Sequence, residues 1–173
     1  MILKHIERQV KKDIFLFEIK VETDVNYFIN LIDKKIKEKN LAHLTNVKGD
    51  MTDWKAFNDD KKLHTVLQDS LVILSKHRQF EHMCVKDSWG IRKKFSDSTI
   101  EHDHQTAHVS GVLYLNDNSP ELIFPELNIA VEPNACTLVI FNAILNHLSP
   151  PSKFKDPKYA IAFNLENKVI RDI

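Results

Sequence analysis

Residues 80–115 read FEHMCVKDSWGIRKKFSDSTIEHDHQTAHVSGVLYL, and the texture of this stretch decides the fold. Short runs rich in aromatic and β-branched residues, Phe80–Val85, Trp89–Phe95 and Val109–Leu115, alternate with polar, turn-forming residues such as Asp97-Ser98. Such runs read as strands. The pattern continues through Leu122–Phe124, Ile129–Val131, Thr137–Phe141 and Tyr159–Leu165. Turn signals lie between them at Asn116–Pro120, Pro133-Asn134 and Ser149-Pro150-Pro151. Many short strands at this spacing predict an all-β barrel or sandwich, such as a jelly roll.

Upstream the sequence is mixed. Ile14–Val21 (IFLFEIKV) predicts a strand, apolar enough to pair between the subunits of a homodimer. Asp24 is placed to cap a helix in which Val25, Phe28, Ile29, Ile32 and Ile36 share one face. Leu63, Val66, Leu67, Leu71 and Leu74 mark a second amphipathic helix. The polar stretch Asn40–Asp60 reads as a loop and a candidate lid. No domain boundary is visible. Residues 1–173 read as one domain, with 1–78 supporting a β core at 79–173.

With 24 basic and 24 acidic residues among 173, the chain has no net charge. Broad electrostatic binding to nucleic acid or an anionic membrane is therefore not expected. No apolar run approaches the ~20 residues of a membrane span. Met1–Lys12 lacks the apolar core and cleavage site of a signal peptide, so the cytoplasm is the expected compartment. Two cysteines, Cys84 and Cys136, cannot form a disulfide framework and read as buried free thiols. Only three glycines, Gly49, Gly90 and Gly111, occur, far apart, which excludes both the P-loop and the dinucleotide-binding fingerprint.

Nine histidines remain to be placed. His5, His43, His64 and His77 lie in polar or helical contexts and suit surface or packing roles. Glu101-His102-Asp103-His104 lies between two predicted strands. In extended chain, residues i and i+2 face the same side, so His102 and His104 point together and Asp103 turns away. Two imidazoles on one face can grip a transition metal through neutral ring nitrogens. A third ligand must come from a distant segment, and His147, after the apolar strand Thr137–Phe141, fits that need. His108 is a candidate for the pocket lining.

The ordered set of motifs from Trp89 onward resembles the 2-oxoglutarate/Fe(II)-dependent oxygenases. It is most similar to the small oxygenases of marine bacteria and their phages related to prolyl 4-hydroxylases. The matching residues are Trp89–Phe95, His102-Asp103-His104, Ser110–Leu115 and Leu122-Ile123-Phe124-Pro125. Val131-Glu132-Pro133, Leu138–Phe141, His147 and Tyr159–Asn164 complete the match. Ser96 stands six residues before His102, where relatives often turn on a glycine. Asn46–Trp54 is similar to a segment of phage members, with no role attached.

The resemblance implies a mainly β fold, a double-stranded β-helix (jelly-roll) core braced by N-terminal helices. It implies Fe(II) held by His102, His104 and His147, with 2-oxoglutarate and O2 as cosubstrates. The expected reaction is hydroxylation of a small molecule or peptide, coupled to decarboxylation of 2-oxoglutarate to succinate. Lys158, eleven residues after His147, stands where the family places the cation that pairs with the remote carboxylate of 2-oxoglutarate. Arg92 is the other candidate for that role, and Tyr114 a hydrogen-bond donor to the cosubstrate. Many relatives have a carboxylate where this chain has His104. Either the site is three-His, or a shifted chain lets Asp103 bind. A three-His site carries less negative charge and admits other divalent ions. Two other readings stay open: a cupin-like three-His metalloenzyme that does not use 2-oxoglutarate, and a non-catalytic β-sandwich binding module.

Overall fold

The computed structural model describes residues 2–11, 14–42, 45–76, 80 and 82–167. His43 and His77 lie outside the described residues, as does Glu81 in the predicted strand Phe80–Val85. The elements run β1 (Ile2–Lys11), β2 (Ile14–Val21), α1 (Val25–Glu38), β3 (Val47–Lys48), β4 (Asp50–Met51) and α2 (Lys61–Leu74). They continue with β5 (Met83–Lys93), β6 (Ser98–His102), β7 (Val109–Tyr114) and β8 (Leu122–Phe124). The chain then forms β9 (Ile129–Val131), β10 (Thr137–Asn142), β11 (His147–Ser149) and β12 (Lys158–Asn167).

Two antiparallel sheets result, ordered β1-β2-β10-β7-β12-β5-β4 and β3-β6-β11-β8-β9. Within them, β5-β12-β7-β10 faces β6-β11-β8-β9, the interleaved arrangement of a double-stranded β-helix. Strand alternation divides the apolar residues between two cores. Phe17 and Ile19, Leu138 and Ile140, and Ile161 and Phe163 face outward into a layer shared with the helices. Leu16, Val139, Phe141 and Tyr114 face inward, against Phe124 and Leu122 of the smaller sheet. Successive side chains of a strand point to opposite faces, so one run of sequence serves both layers.

The helices cover the outer face of the larger sheet. Asp24 caps α1 by accepting from the Tyr27 N–H at 3.0 Å, and Asp60 caps α2 through Leu63 N–H at 2.9 Å. Phe28, Ile32 and Ile36 of α1, with Leu63 and Leu67 of α2, are buried on the sheet. Close approach needs Gly90, because a Cβ there would lie 2.5 Å from Ile32 Cγ1. Gly111 sits under Phe163 in the same way, where a Cβ would collide with the Phe163 ring.

Several expectations change. Asn40–Asp60 is no free loop. Val47–Lys48 pairs with β6 and Asp50-Met51 with β5. Thr52 exchanges backbone bonds with Gly90 through its amide and hydroxyl (3.0 and 2.9 Å). Val47–Lys48 and residues 50–52 are thus built into the two sheets. The runs Phe80–Val85 and Trp89–Phe95 become one strand across Lys86-Asp87-Ser88, because β12 pairs with β5 along its length. β2 has β1 on one edge and β10 on the other, so its pairing capacity is used within the chain. Cys84 and Cys136 are free thiols, half-buried rather than fully buried. Among the described residues, no helix is long and apolar enough to cross a membrane.

Candidate metal centre

The last residue of β6 is His102, the first of β11 is His147, and the antiparallel pairing sets them opposite each other. Directly opposed residues hold their side chains within mutual reach. The two ring centroids lie 4.4 Å apart. His104 follows two residues past the end of β6. Its amide donates to Ala143 O at 2.7 Å, and its own carbonyl accepts from Ala107 N at 2.8 Å. Its ring then lies 4.8 Å from His102 and 5.2 Å from His147. The turn into β6 uses Ser96 in the left-handed region, with φ 68°.

The rings present one donor atom each within 4.8 Å of one another. Two nitrogens bound to one ion at about 2.1 Å each lie roughly 3 Å apart, so the rings would have to turn toward one another to share an ion. Backbone carbonyls orient two rings: Ile100 O lies 2.7 Å from His102 Nδ1, and Leu145 O lies 3.0 Å from His147 Nδ1. A protonated Nδ1 bonded to a carbonyl leaves Nε2 as the free lone pair, the form a metal takes. Burial, reinforced by the neighbouring imidazoles, pushes His147 down to about 3 and His104 to about 4. Burial also lowers His102. All three are therefore neutral near pH 7, as ligation requires. This donor set fits a divalent transition metal. Asp103 does not join it: its carboxylate accepts from the amide and the side chain of Gln105 at 3.3 and 2.7 Å.

The histidines open into a pocket floored by the larger sheet. Trp89, Ile91 and Lys93 alternate inward along β5 and sit opposite Ala162, Ala160 and Lys158 of β12. Tyr114, opposite Ala160 on β7, continues the floor and is 7% exposed. Burial raises its phenol pKa, so the hydroxyl stays protonated. Trp89 packs against His104 at 6.0 Å, and its indole N–H is buried with no partner among the described residues.

Lys158 reaches the pocket, but its ammonium donates to Asp117 O at 3.0 Å and lies 4.8 Å from the Phe154 ring centroid. Arg92 faces the other way. It bonds Asp50 at 2.6 and 2.9 Å and Asp33 at 2.7 Å, tying α1 and β4 to β5. His108 is exposed and accepts from Asn167 N at 3.4 Å, away from the pocket lining. Lys93, which sequence reasoning missed, is 8% exposed and lines the pocket. The signal was present in strand parity: Trp89, Ile91 and Lys93 share one face.

No protein-family profile matches the chain, and no curated protein is significantly similar to it in sequence. Solved structures do match its fold. A viral collagen prolyl hydroxylase of Paramecium bursaria Chlorella virus-1, in complex with 2-oxoglutarate, is 16% identical with a TM-score of 0.67, over 88% of this chain and 96% of that one. A Pseudomonas putida prolyl-4-hydroxylase is 15% identical with a TM-score of 0.64, over 83% and 86% of the two chains. HygX of Streptomyces hygroscopicus, with nickel, 2-oxoglutarate and hygromycin B bound, is 10% identical with a TM-score of 0.64, over 89% and 83%. The chain thus has the jelly-roll fold of the 2-oxoglutarate/Fe(II) oxygenases, with three histidines converging inside it.

Proposed function

We propose that this protein is a non-haem Fe(II)- and 2-oxoglutarate-dependent oxygenase that hydroxylates a small molecule or a peptide. The observation that carries the reading is the convergence of His102, His104 and His147 at the mouth of a jelly-roll pocket whose floor bears lysines. His102 and His147 would ligate through Nε2, held by their carbonyl partners, and His104 would complete a facial set. Iron and 2-oxoglutarate together supply oxidative decarboxylation to succinate and CO2, coupled to O2-dependent hydroxylation of a substrate C–H bond. The chain's own contribution is placement. Tyr114 keeps its proton and can donate to a cosubstrate oxygen, and the pocket lining carries positive charge for an anionic cosubstrate. Trp89 and Phe141 wall the metal side with apolar surface and limit water.

Incubation with Fe(II), O2 and 2-oxoglutarate should release succinate, faster with the right substrate, and His147→Ala should abolish it. Iron bound at one equivalent with no succinate formed, alone or across peptide and small-molecule substrates, would overturn the reading. The all-imidazole donor set favours one competitor, a three-His metalloenzyme of cupin type that does not use 2-oxoglutarate. That enzyme would bind iron and show no affinity for the keto acid.

A further inference from the structure

Arg92, Lys93 and Lys94 are consecutive cations at the end of β5, and strand alternation sends neighbours to opposite faces. The outer two are paired. Arg92 bonds Asp33 and Asp50, and Lys94 bonds Asp50 at 2.8 Å. Lys93 points inward, is 8% exposed, and has no hydrogen-bond or ion-pair partner among the described residues. Among those residues, no Asp or Glu lines the pocket it enters. The carboxylate whose charge reaches it is Asp97, which already accepts from the Lys94 amide at 2.8 Å. A buried ammonium left without an anion is strongly unfavourable: it gives up its proton more readily, or an anionic ligand pairs it and holds the proton in place. Lys158, directly opposite on β12, is already engaged by Asp117 O and Phe154.

We propose that Lys93, from β5, is the cation that receives the remote carboxylate of the keto-acid cosubstrate, and that Lys158 guards the pocket rim. This inference rests on the oxygenase reading and departs from the pattern in which the last strand supplies that cation. The pocket then discriminates by charge: a 2-oxo acid with a second carboxylate pairs Lys93, and one with a methyl in its place leaves Lys93 unpaired.

The test is calorimetric binding to the Ni(II)-loaded protein, which reads affinity without turnover. The ligands are 2-oxoglutarate and 2-oxovalerate, in wild type, Lys93→Met and Lys158→Met, with Ni(II) stoichiometry confirming an intact site in each. Wild type should prefer 2-oxoglutarate by about thirtyfold or more, the effect of truncating one partner of a buried charge pair. Lys93→Met should lose that preference, and Lys158→Met should keep most of it. Preference retained in Lys93→Met, or lost equally in both variants, overturns the assignment and leaves the oxygenase reading standing. A Ni(II)-loaded wild type that binds neither acid overturns that reading, and the inference with it.

Discussion

Removing the charge of Lys93 should stabilise the fold. Burial pushes this ammonium from its ordinary 10.5 down to about 7, against a small opposing effect of Asp97. A tenfold change in proton affinity corresponds to about 1.4 kcal/mol, so the difference sets an upper bound of about 5 kcal/mol on the penalty. Relaxation and water entry reduce such penalties, and replacing buried charge by apolar side chains typically gains about 1–4 kcal/mol. Met keeps most of the aliphatic volume, so Lys93→Met should gain a few kcal/mol at pH 7. At roughly 2–4 °C per kcal/mol for a chain of this size, its Tm should rise by about 3–10 °C. The pH dependence identifies the cause. Between about 7 and 10.5 the unfolded chain keeps the proton that the folded chain has released, so wild-type stability rises with pH across that window. The advantage of Lys93→Met is therefore full at pH 7 and below, and shrinks toward pH 10. Around Lys93, Lys158 lies opposite on β12, His102 lies on β6, and Asp97 follows β5. Urea unfolding of metal-free protein at pH 7 and 9.5 measures the difference. A Lys93→Met variant less stable than wild type, or one whose advantage does not change with pH, would refute the reasoning.

Three further outcomes follow from the packing and the ion pairs. Gly111→Ala should destabilise more than Gly90→Ala in urea unfolding. The first drives a Cβ to 2.6 Å from the Val139 backbone carbonyl and onto the Phe163 ring, whereas the second meets side chains only, Ile32 Cγ1 at 2.5 Å, where overpacking costs about 1–3 kcal/mol. Burial alone would raise Asp50, but bonds from Lys94, Asn40 and Arg92 outweigh it and hold the carboxyl at about 2. Its stabilisation is present above the ordinary 3.8 and is lost as pH falls through about 2, so Asp50→Asn should lower stability at pH 7 and flatten acid unfolding in that window. The metal-free protein should also lose stability as pH falls below 6.5, through the values near 4 and 3 of His104 and His147. Circular dichroism with and without Ni(II) should show the metal moving that acid transition to lower pH.

Much of the β core is legible because alternation and turn chemistry agree there. β2, β8 and β9 have the bounds that their apolar runs predict, and Asp24 caps α1 as expected, while Asp60, read only as the end of a polar stretch, proves to cap α2. β6 and β11 escape the pattern because they are short and carry the histidines in place of apolar residues. Their pairing is long-range, His147 with His102, and no local window contains it. The polar run Lys86-Asp87-Ser88 hides the continuity of β5. Asn58 binds both the Lys86 carbonyl and the Ser88 hydroxyl, satisfying groups that otherwise signal a turn. The three donors of the candidate site were readable from i, i+2 parity and motif order. The same parity, extended along Trp89, Ile91 and Lys93, would have separated Lys93 from Arg92. What sequence alone could not supply is which cation already has a carboxylate partner, because Asp33 and Asp50 reach Arg92 only in the folded chain.

The most direct test of the central claim is anaerobic titration of the metal-free protein with Fe(II) and then 2-oxoglutarate, followed by visible absorption. An oxygenase of this kind should bind one equivalent of iron and develop a weak charge-transfer band on adding the keto acid, both lost in His147→Ala. Iron bound without such a band, or a band that survives in His147→Ala, would contradict it.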